Sequence, residues 1–282
     1  FQTDAPVLRA RWKLHKEALA MVHMPATGVS GLDLYTRADN TWRWLAIARP
    51  DHFPTSEAVL IDGLPVAARE YLLYLPLYNG VSFVELGIPD GYTLKPAPVR
   101  TTRPIVFYGT SITQGGCAAR PGTCHVALLG RLLDRPVLNL GFSGNGKMER
   151  EVAELMAELD PALYVIDALP NMVADEILQR APELVRTLRA AHPETPVLLV
   201  EDRSYANAFL QRNHAARNRE SRAALRQVYA NLDKVDGVHY LSGDHLLGDD
   251  SDDTVDGSHP TDLGFRRHAE AFYPVLEKLV RV

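Results

Sequence analysis

Apolar and polar residues alternate in the first hundred residues with the period of a β-strand. In LRARWKL, residues 8–14, every second residue is apolar, which predicts a strand with one buried face. The runs 71–78 (YLLYLPLY) and 81–88 (VSFVELGI) flank Asn79-Gly80, a dipeptide that suits a tight hairpin turn with positive φ. Pro76 places the first run at a sheet edge or a bulge. Several short strands with turn signals between them predict a β-sandwich, jelly-roll-like in kind.

The pattern changes after about residue 104. Five short apolar runs follow, and longer segments with helical spacing separate them. The runs are IVFYG (105–109), VLNLG (137–141), LYVID (163–167), VLLVE (197–201) and GVHYL (237–241). The helical segments are 147–159, 174–191, 218–232 and 261–280. This alternation predicts a flavodoxin-like α/β/α domain with five parallel strands, in which active residues gather beyond the carboxyl ends of the strands.

A proline-rich segment without helical periodicity, KPAPVRTTRP at 95–104, separates the two patterns. We therefore place a β-sandwich domain at 1–98, a linker at 99–104 and the α/β domain at 105–282. The chain of 282 residues is long enough for two such domains.

Composition and charge narrow the class of protein. Apolar residues make up 46% and charged residues 23%, as in soluble globular proteins, and no apolar run is long enough to cross a bilayer. A net charge of −5 with scattered Lys and Arg gives no footprint for nucleic acid. Cys117 and Cys124 are too few for a disulfide scaffold; they can pair, and free thiols are at least as well favoured. The composition leaves the oligomeric state open.

The compartment also stays open. A cytoplasmic location is weakly favoured. Secretion is the alternative, because the chain begins at Phe1 inside a strand-like pattern, so that a leader or a first strand can precede it.

Candidate chemistry begins at Ser111, which follows the first strand of the α/β domain. A serine hydroxyl there can cap a helix, or it can act as a nucleophile if a base removes its proton. Near the C-terminus, VDGSHPTDLGF (255–265) carries Asp256 and His259 three positions apart. One loop can then hold the carboxylate against the imidazole, as a catalytic triad requires.

Four short blocks together resemble the SGNH (GDSL-type) hydrolase family. They are GTSITQG (109–115), NLGFSGNG (139–146), DALPN (167–171) and DGSHPTDLG (256–264), in the family's order and at suitable spacing. GLDLY at 31–35 is similar to the β-sandwich that precedes this domain in one esterase branch, whose members and relatives include carbohydrate acetyl esterases.

The resemblance implies a role for each matched residue. Ser111 would be the nucleophile, His259 the general base and Asp256 its orienting partner. Gly144 and Asn171 would form the oxyanion hole together with the backbone N–H of Ser111. The chain departs from the family at Thr110, where an aspartate is usual, and at Pro170, since the third block usually reads Gly-x-Asn-Asp.

The expected activity is hydrolysis of short-chain esters, acetyl above all, on a carbohydrate-like alcohol, with no metal or organic cofactor. Acyl transfer through the same acyl-enzyme is an alternative, and a non-catalytic carbohydrate-binding protein on this scaffold is another. Tyr35, Trp42 and Trp44 are side chains that could stack on sugar rings.

Other polar residues near strand ends have two interpretations. Asp167 contacts the site or accepts from loop amides, and a structural role is favoured for Glu201 and Asp202 over substrate contact. The acidic run 249–257, DDSDDTVDG, lacks the spacing of a calcium loop and is interpreted as a solvated loop.

Overall fold

The computed structural model describes residues 1–232 and 235–280. The chain divides into two units: Phe1–Thr101 with Cys117–Thr123, and Thr102–Gly116 with Cys124–Val282. The boundaries 1–98, 99–104 and 105–282 stay predictions. Cys117–Thr123, which follow the segment that carries Ser111, group with the first unit. No described helix has the length and apolar character needed to span a membrane.

Two antiparallel sheets make up the first unit. Its strands are β1 (Gln2–Thr3), β2 (Leu8–Leu14), β3 (Leu32–Ala38), β4 (Thr41–Ala48), β5 (Thr55–Ile61), β6 (Arg69–Tyr74), β7 (Val81–Gly87) and β8 (Leu94–Lys95), with a short helix α1 (Ala26–Val29). One sheet has the order β4-β3-β6-β1-β8 and the other β5-β2-β7. Apolar side chains from both sheets form one core, in which Trp12, Leu34 and Tyr71 are fully buried. The predicted sandwich is confirmed.

The hairpin predicted at Asn79-Gly80 is wrong. β6 lies between β3 and β1 in one sheet, away from the edge that Pro76 suggested, and β7 belongs to the other sheet. The Asn79 side chain is buried and bonds both backbone groups of Lys16, while its amide also donates to Ser30. These bonds stabilise a crossing between sheets, and Gly80 has no positive φ.

The second unit contains a parallel sheet of five strands. They are β9 (Ile105–Gly109), β10 (Val137–Gly141), β11 (Leu163–Asp167), β12 (Val197–Val200) and β13 (Val238–Leu241), in the order β10-β9-β11-β12-β13. β9 and β11 are buried throughout, which explains their continuous apolar sequence. The predicted flavodoxin-like α/β/α domain with five parallel strands is confirmed.

Helices connect these strands and cover the sheet. They are α2 (Ser111–Gln114), α3 (His125–Leu132), α4 (Arg150–Met156), α5 (Ala174–Ala191), α6 (Arg212–Asn231) and α7 (Asp262–Val280). α5 coincides with the predicted segment, whereas α4 is shorter than predicted. Ile177, Leu184 and Leu188 of α5 pack on Tyr164 and Ile166 of β11 in the main core.

Candidate active site

Ser111 is the first residue of α2, immediately beyond the end of β9. Thr110 is the N-cap, and its Oγ1 accepts from the Ile112 N–H at 3.3 Å. The capping task is therefore performed by the residue that departs from the family pattern. The Ser111 hydroxyl instead lies in hydrogen-bond contact with His259.

A hydrogen-bonded relay joins the three residues expected to form a triad. Ser111 Oγ lies 2.8 Å from His259 Nε2, and His259 Nδ1 lies 2.8 Å from Asp256 Oδ2. Asp256 Oδ1 accepts from the backbone N–H of His259 at 2.8 Å and of Ser258 at 3.0 Å.

The protonation of the relay follows from these contacts. Burial raises the pKa of Asp256. Hydrogen bonds from the His259 backbone and imidazole and from Ser258 together lower it by more, so the pKa is below its ordinary value. An ionised carboxylate only accepts hydrogen bonds, so Nδ1 of His259 carries the proton. Nε2 then has a lone pair that can accept the Ser111 hydroxyl proton.

Arg203, which the sequence analysis missed, supports the loop that carries His259. It follows β12, and its guanidinium donates to the Ser258 carbonyl at 3.2 Å and to the Ser258 hydroxyl at 2.9 Å. Arg203 and Asp202 are both buried and form an ion pair at 2.7 Å. The available signal was an acidic and a basic residue side by side after a buried strand.

Glu201 and Asp202 have structural partners, as favoured above. Glu201 is buried and accepts from Arg226 at 2.7 Å, from the Gly243 N–H at 2.7 Å and from Tyr240. Both carboxylates thus stabilise the carboxyl end of the sheet.

The turn that carries Gly144 is attached to the end of β9 and to α2. The Ser143 N–H donates to the Gln114 side chain at 3.0 Å. Gly146 packs so closely that a Cβ there would lie 2.0 Å from the Gly109 carbonyl oxygen. Gly144 itself has a φ of +70° and open space where a Cβ would be.

Asn171 ends the 3₁₀ turn Leu169–Asn171 that follows β11. Its side-chain amide donates to the carbonyl of Asn145, so Asn171 lies against the turn that carries Gly144. The Pro170 carbonyl accepts from Arg217 at 2.7 Å, which stabilises this 3₁₀ turn. The oxyanion roles of Ser111, Gly144 and Asn171 stay predictions.

The contacts of the Asp167 carboxylate differ from both interpretations given above. Its Oδ2 accepts from the Thr113 hydroxyl at 3.4 Å, and no loop amide is among its hydrogen-bond donors in the described residues. It lies beside the buried His125 and His268. Burial raises the pKa of Asp167 to about 7 and lowers that of His125 to about 3.

Two carboxylates of the acidic run have basic partners. Asp250 forms a bidentate pair with Arg267 at 2.7 and 2.6 Å, and Asp249 lies 2.7 Å from His245. Cys117 and Cys124 are buried thiols, and burial raises the pKa of Cys124 to about 11.

The aromatic residues of the sandwich differ in exposure. Tyr35 is buried, so it offers no stacking surface. Trp44 is half-exposed; its ring lies 5.0 Å from the Arg120 guanidinium and its N–H donates to Asp33 at 3.0 Å. Trp42 packs 5.3 Å from the guanidinium of Arg37.

Comparison with known proteins gives two family matches. Residues 102–277 match the GDSL-like lipase/acylhydrolase family, and residues 1–94 match the GxDLY domain found at the N-terminus of SGNH-type esterases. No curated protein is similar enough in sequence to count as a match.

Solved structures share the architecture of the whole chain. A protein from Bacteroides ovatus described as a GDSL-like lipase is 33% identical with a TM-score of 0.95, covering 99% of this chain and 83% of that one. A family two carbohydrate esterase from Clostridium thermocellum, in complex with cellohexaose, has a TM-score of 0.72 at 14% identity, covering 98% and 90%. The salicylyl-acyltransferase SsfX3 of a tetracycline biosynthetic pathway has a TM-score of 0.75 at 20% identity, covering 99% and 81%.

At 14% and 20% identity, the last two proteins show a shared fold. The family match covers more than half of this chain, and the protein from Bacteroides ovatus resembles it over nearly its whole length. The chain is therefore a member of the GDSL-like lipase/acylhydrolase family, an SGNH-type esterase preceded by a GxDLY domain.

Proposed function

We propose that this esterase hydrolyses short-chain esters, acetyl above all, of a carbohydrate-like alcohol through an acyl-enzyme on Ser111. The observation that carries the proposal is the relay from Ser111 through His259 to Asp256, with 2.8 Å at each step. A nucleophile, a base and an orienting carboxylate in hydrogen-bond contact are the arrangement that activates a serine.

Acylation begins when His259 Nε2 takes the Ser111 proton and Oγ attacks the ester carbonyl carbon. The carbonyl oxygen becomes an oxyanion, for which the N–H groups of Ser111 and Gly144 and the amide of Asn171 are the donors. When the tetrahedral intermediate collapses, the C–O bond to the alcohol breaks and His259 gives its proton to the leaving alkoxide. Asp256 stays ionised and stabilises the imidazolium.

Deacylation repeats these steps with water. His259 accepts a proton from water, the hydroxide adds to the acyl carbon, and the bond to Ser111 Oγ breaks as His259 returns the proton to it. The products are an alcohol and a carboxylic acid, and none of these steps requires a metal.

Two observations support a small acyl group and a sugar-like alcohol. The segments that carry Gly144 and Asn171, residues 142–149 and 168–173, are short connections between strand and helix, whereas a long acyl chain needs extended apolar surface for its favourable ~0.8 kcal/mol per methylene. The fold is shared with family two carbohydrate esterases.

The test is covalent labelling together with substrate profiling. A serine-directed phosphonate should add its mass at Ser111, and Ser111→Ala should abolish hydrolysis of p-nitrophenyl acetate. Ser143→Ala is the matched control, because Ser143 lies in the block that carries Gly144 and makes its hydrogen bonds through its backbone N–H and carbonyl. Labelling of Cys117 instead of Ser111 would contradict the nucleophile.

Substrate class is tested separately. p-Nitrophenyl esters from acetate to decanoate are compared with acetylated mono- and oligosaccharides. We expect kcat/KM to be highest for acetate and the acetylated sugars to be deacetylated. If kcat/KM rises beyond butyrate and the sugars are not substrates, the proposed substrate class is wrong, whatever the fate of the triad.

Acyl transfer is the second candidate, because an acyltransferase shares the fold over 99% of this chain. Both reactions use the same acyl-enzyme and differ in the nucleophile that releases the acyl group. Adding a sugar alcohol to the acetate reaction distinguishes them: a transferase forms acetylated acceptor, and an esterase releases acetate in its presence.

A further inference from the structure

Two histidines and an aspartate form a buried cluster behind the helix that carries Ser111. His125 is the first residue of α3, Asp167 is the last residue of β11 and His268 lies within α7. All three side chains are at least 97% buried. One nitrogen from each imidazole and one Asp167 oxygen lie within 4.8 Å of one another.

The imidazole nitrogens of this cluster have no hydrogen-bond partner among residues 1–232 and 235–280. Both Nδ1 and Nε2 of His125, and both of His268, are inaccessible and unbonded. Nearly all buried polar groups in proteins are hydrogen-bonded, so four unpaired nitrogens in two adjacent rings require an explanation. The rings stack with centroids 4.3 Å apart, which excludes a direct hydrogen bond as the reason for their proximity.

The surroundings of the cluster are aromatic. Phe265 stacks on His125 at 5.7 Å and Phe272 meets His268 edge-on at 4.6 Å. A neutral imidazole coordinates a metal ion through one ring nitrogen.

From this geometry we propose that His125, Asp167 and His268 bind a divalent first-row transition metal ion, of which zinc is the best match. Two imidazoles and one carboxylate form a known zinc ligand set, with water completing a tetrahedron. Ligand atoms in such a site are about 3.4 Å apart, given metal–ligand distances of about 2.0–2.1 Å. The ligand atoms now lie within 4.8 Å of one another, so the proposal requires the three side chains to adjust when the ion binds.

Neighbouring groups fit this assignment. The Thr113 hydroxyl donates to Asp167 at 3.4 Å and so orients the carboxylate, as outer partners of metal ligands do. Arg203, whose charge acts on all three residues of the cluster, is paired with Asp202 at 2.7 Å, which lessens its repulsion of a metal ion.

The ion would have a structural role. It would join α3, β11 and α7, and Thr113 belongs to the same helix as Ser111. α7 begins three residues after His259, so the ion would brace both segments that carry the relay. It adds no step to the ester chemistry proposed above.

The test is metal uptake by the full chain. Protein is unfolded in chelator, refolded with one equivalent of Zn²⁺ or Co²⁺, and analysed by elemental mass spectrometry. We expect one metal ion per chain, a visible Co²⁺ ligand-field band of tetrahedral intensity, and an increase in Tm over the metal-depleted protein. The cobalt spectrum reports the coordination geometry of the ion in the unaltered chain, so this measurement needs no variant.

Variants locate the ion. His268→Gln and Asp167→Asn should lose the stoichiometric metal, the cobalt band and the metal-dependent increase in Tm. His245→Gln, which alters the exposed His245–Asp249 pair, and His259→Gln, which alters the relay, should keep all three. Absence of uptake by the unaltered chain, or equal uptake by His268→Gln, overturns the proposal, and neither result bears on Ser111.

Discussion

The guanidinium of Arg203 donates to both the carbonyl and the hydroxyl of Ser258, at 3.2 and 2.9 Å. Ser258 precedes His259, so a buried cation on one strand end holds the loop that carries the imidazole. Its charge is balanced by Asp202. Arg203 is a positioning residue, because it acts on the relay through Ser258.

Replacing Arg203 should therefore affect turnover more than binding. A lysine has no fork to reach two acceptors, so in Arg203→Lys we expect kcat to fall on the order of 10- to 100-fold, the cost of a small misplacement of a catalytic group. KM should change little. Steady-state kinetics with p-nitrophenyl acetate measures the split.

The matched control is Arg226→Lys. Arg226 pairs with Glu201 at the same strand end but does not donate to the His259 loop. Its kcat should be unchanged. Equal losses in both variants would show that the strand end is only generally weakened.

Among the variants that keep Ser111, Asp256→Asn should have the largest loss of kcat. An asparagine amide can donate to Nδ1 of His259, which would move the ring proton to Nε2 and remove the base. A fall in kcat of about 10⁴ is expected for such a tautomer change. Asp249→Asn is the control, since Asp249 also binds a histidine but lies outside the relay. A kcat for Asp256→Asn within tenfold of the unaltered enzyme would contradict the assigned role.

The same carboxylate should contribute pH-dependent stability. The folded-state pKa of Asp256 is lowered, so its stabilising contribution is present above the unfolded-state pKa of about 4 and is lost as pH falls through the folded value. The unfolding free-energy difference between the unaltered protein and Asp256→Asn should therefore shrink between pH 7 and about pH 3. Urea titrations at several pH values measure it. A difference independent of pH would show that the hydrogen bonds of Asp256 do not favour its charged form.

Removing the amide of Asn171 tests the oxyanion hole. Loss of one donor typically lowers kcat 10²- to 10³-fold, and we expect Asn171→Ala to do so with little change in KM. Asn171 also donates to the Asn145 carbonyl, so Asn171→Ala removes a bond from that turn as well. Asn145→Ala separates the effects, because it removes the Asn145–Ser143 bond of that turn and leaves the Asn171 amide in place. A kcat for Asn145→Ala as low as that for Asn171→Ala would assign the amide to holding the turn.

The sequence predicted what depends on local pattern. Strands β9 and β11 are buried on both faces, so their sequences are continuous apolar runs that periodicity alone detects. Asp256 and His259 were recognisable as a pair because they lie three positions apart in one loop. The hairpin turn predicted at 79–80 is wrong because the Asn79 side chain hydrogen-bonds to Lys16. This partner lies 63 residues away, and no local sequence pattern indicates it.

The remaining differences also arise from distant partners. Segment 117–123 has no periodicity, and its membership of the first unit depends on Arg120 pairing with Asp33. The buried histidines left a weak trace: His268 lies three residues after Phe265 on the apolar face of α7, a position that normally takes an apolar side chain.

The pair Asp33–Arg120 predicts how the first unit is stabilised. Asp33 is fully buried, and both its oxygens accept from Arg120, at 2.9 and 2.8 Å. The Gly122 N–H and the Trp44 N–H donate to the same carboxylate. Arg120→Met would leave a buried carboxylate without its cation, so we expect the unfolding free energy of this unit to fall by about 3 kcal/mol.

Fluorescence can follow that unit alone, because all three tryptophans of the chain, at positions 12, 42 and 44, lie within it. The control is Arg11→Met, which breaks an exposed pair with Glu85 and should lower the unfolding free energy far less, because exposed ion pairs contribute little to stability. Adding Asp33→Asn to Arg120→Met should recover part of the loss, since it removes the unpaired charge. If Arg11→Met and Arg120→Met shift the urea midpoint equally, the buried pair is no more important to this unit than a surface one.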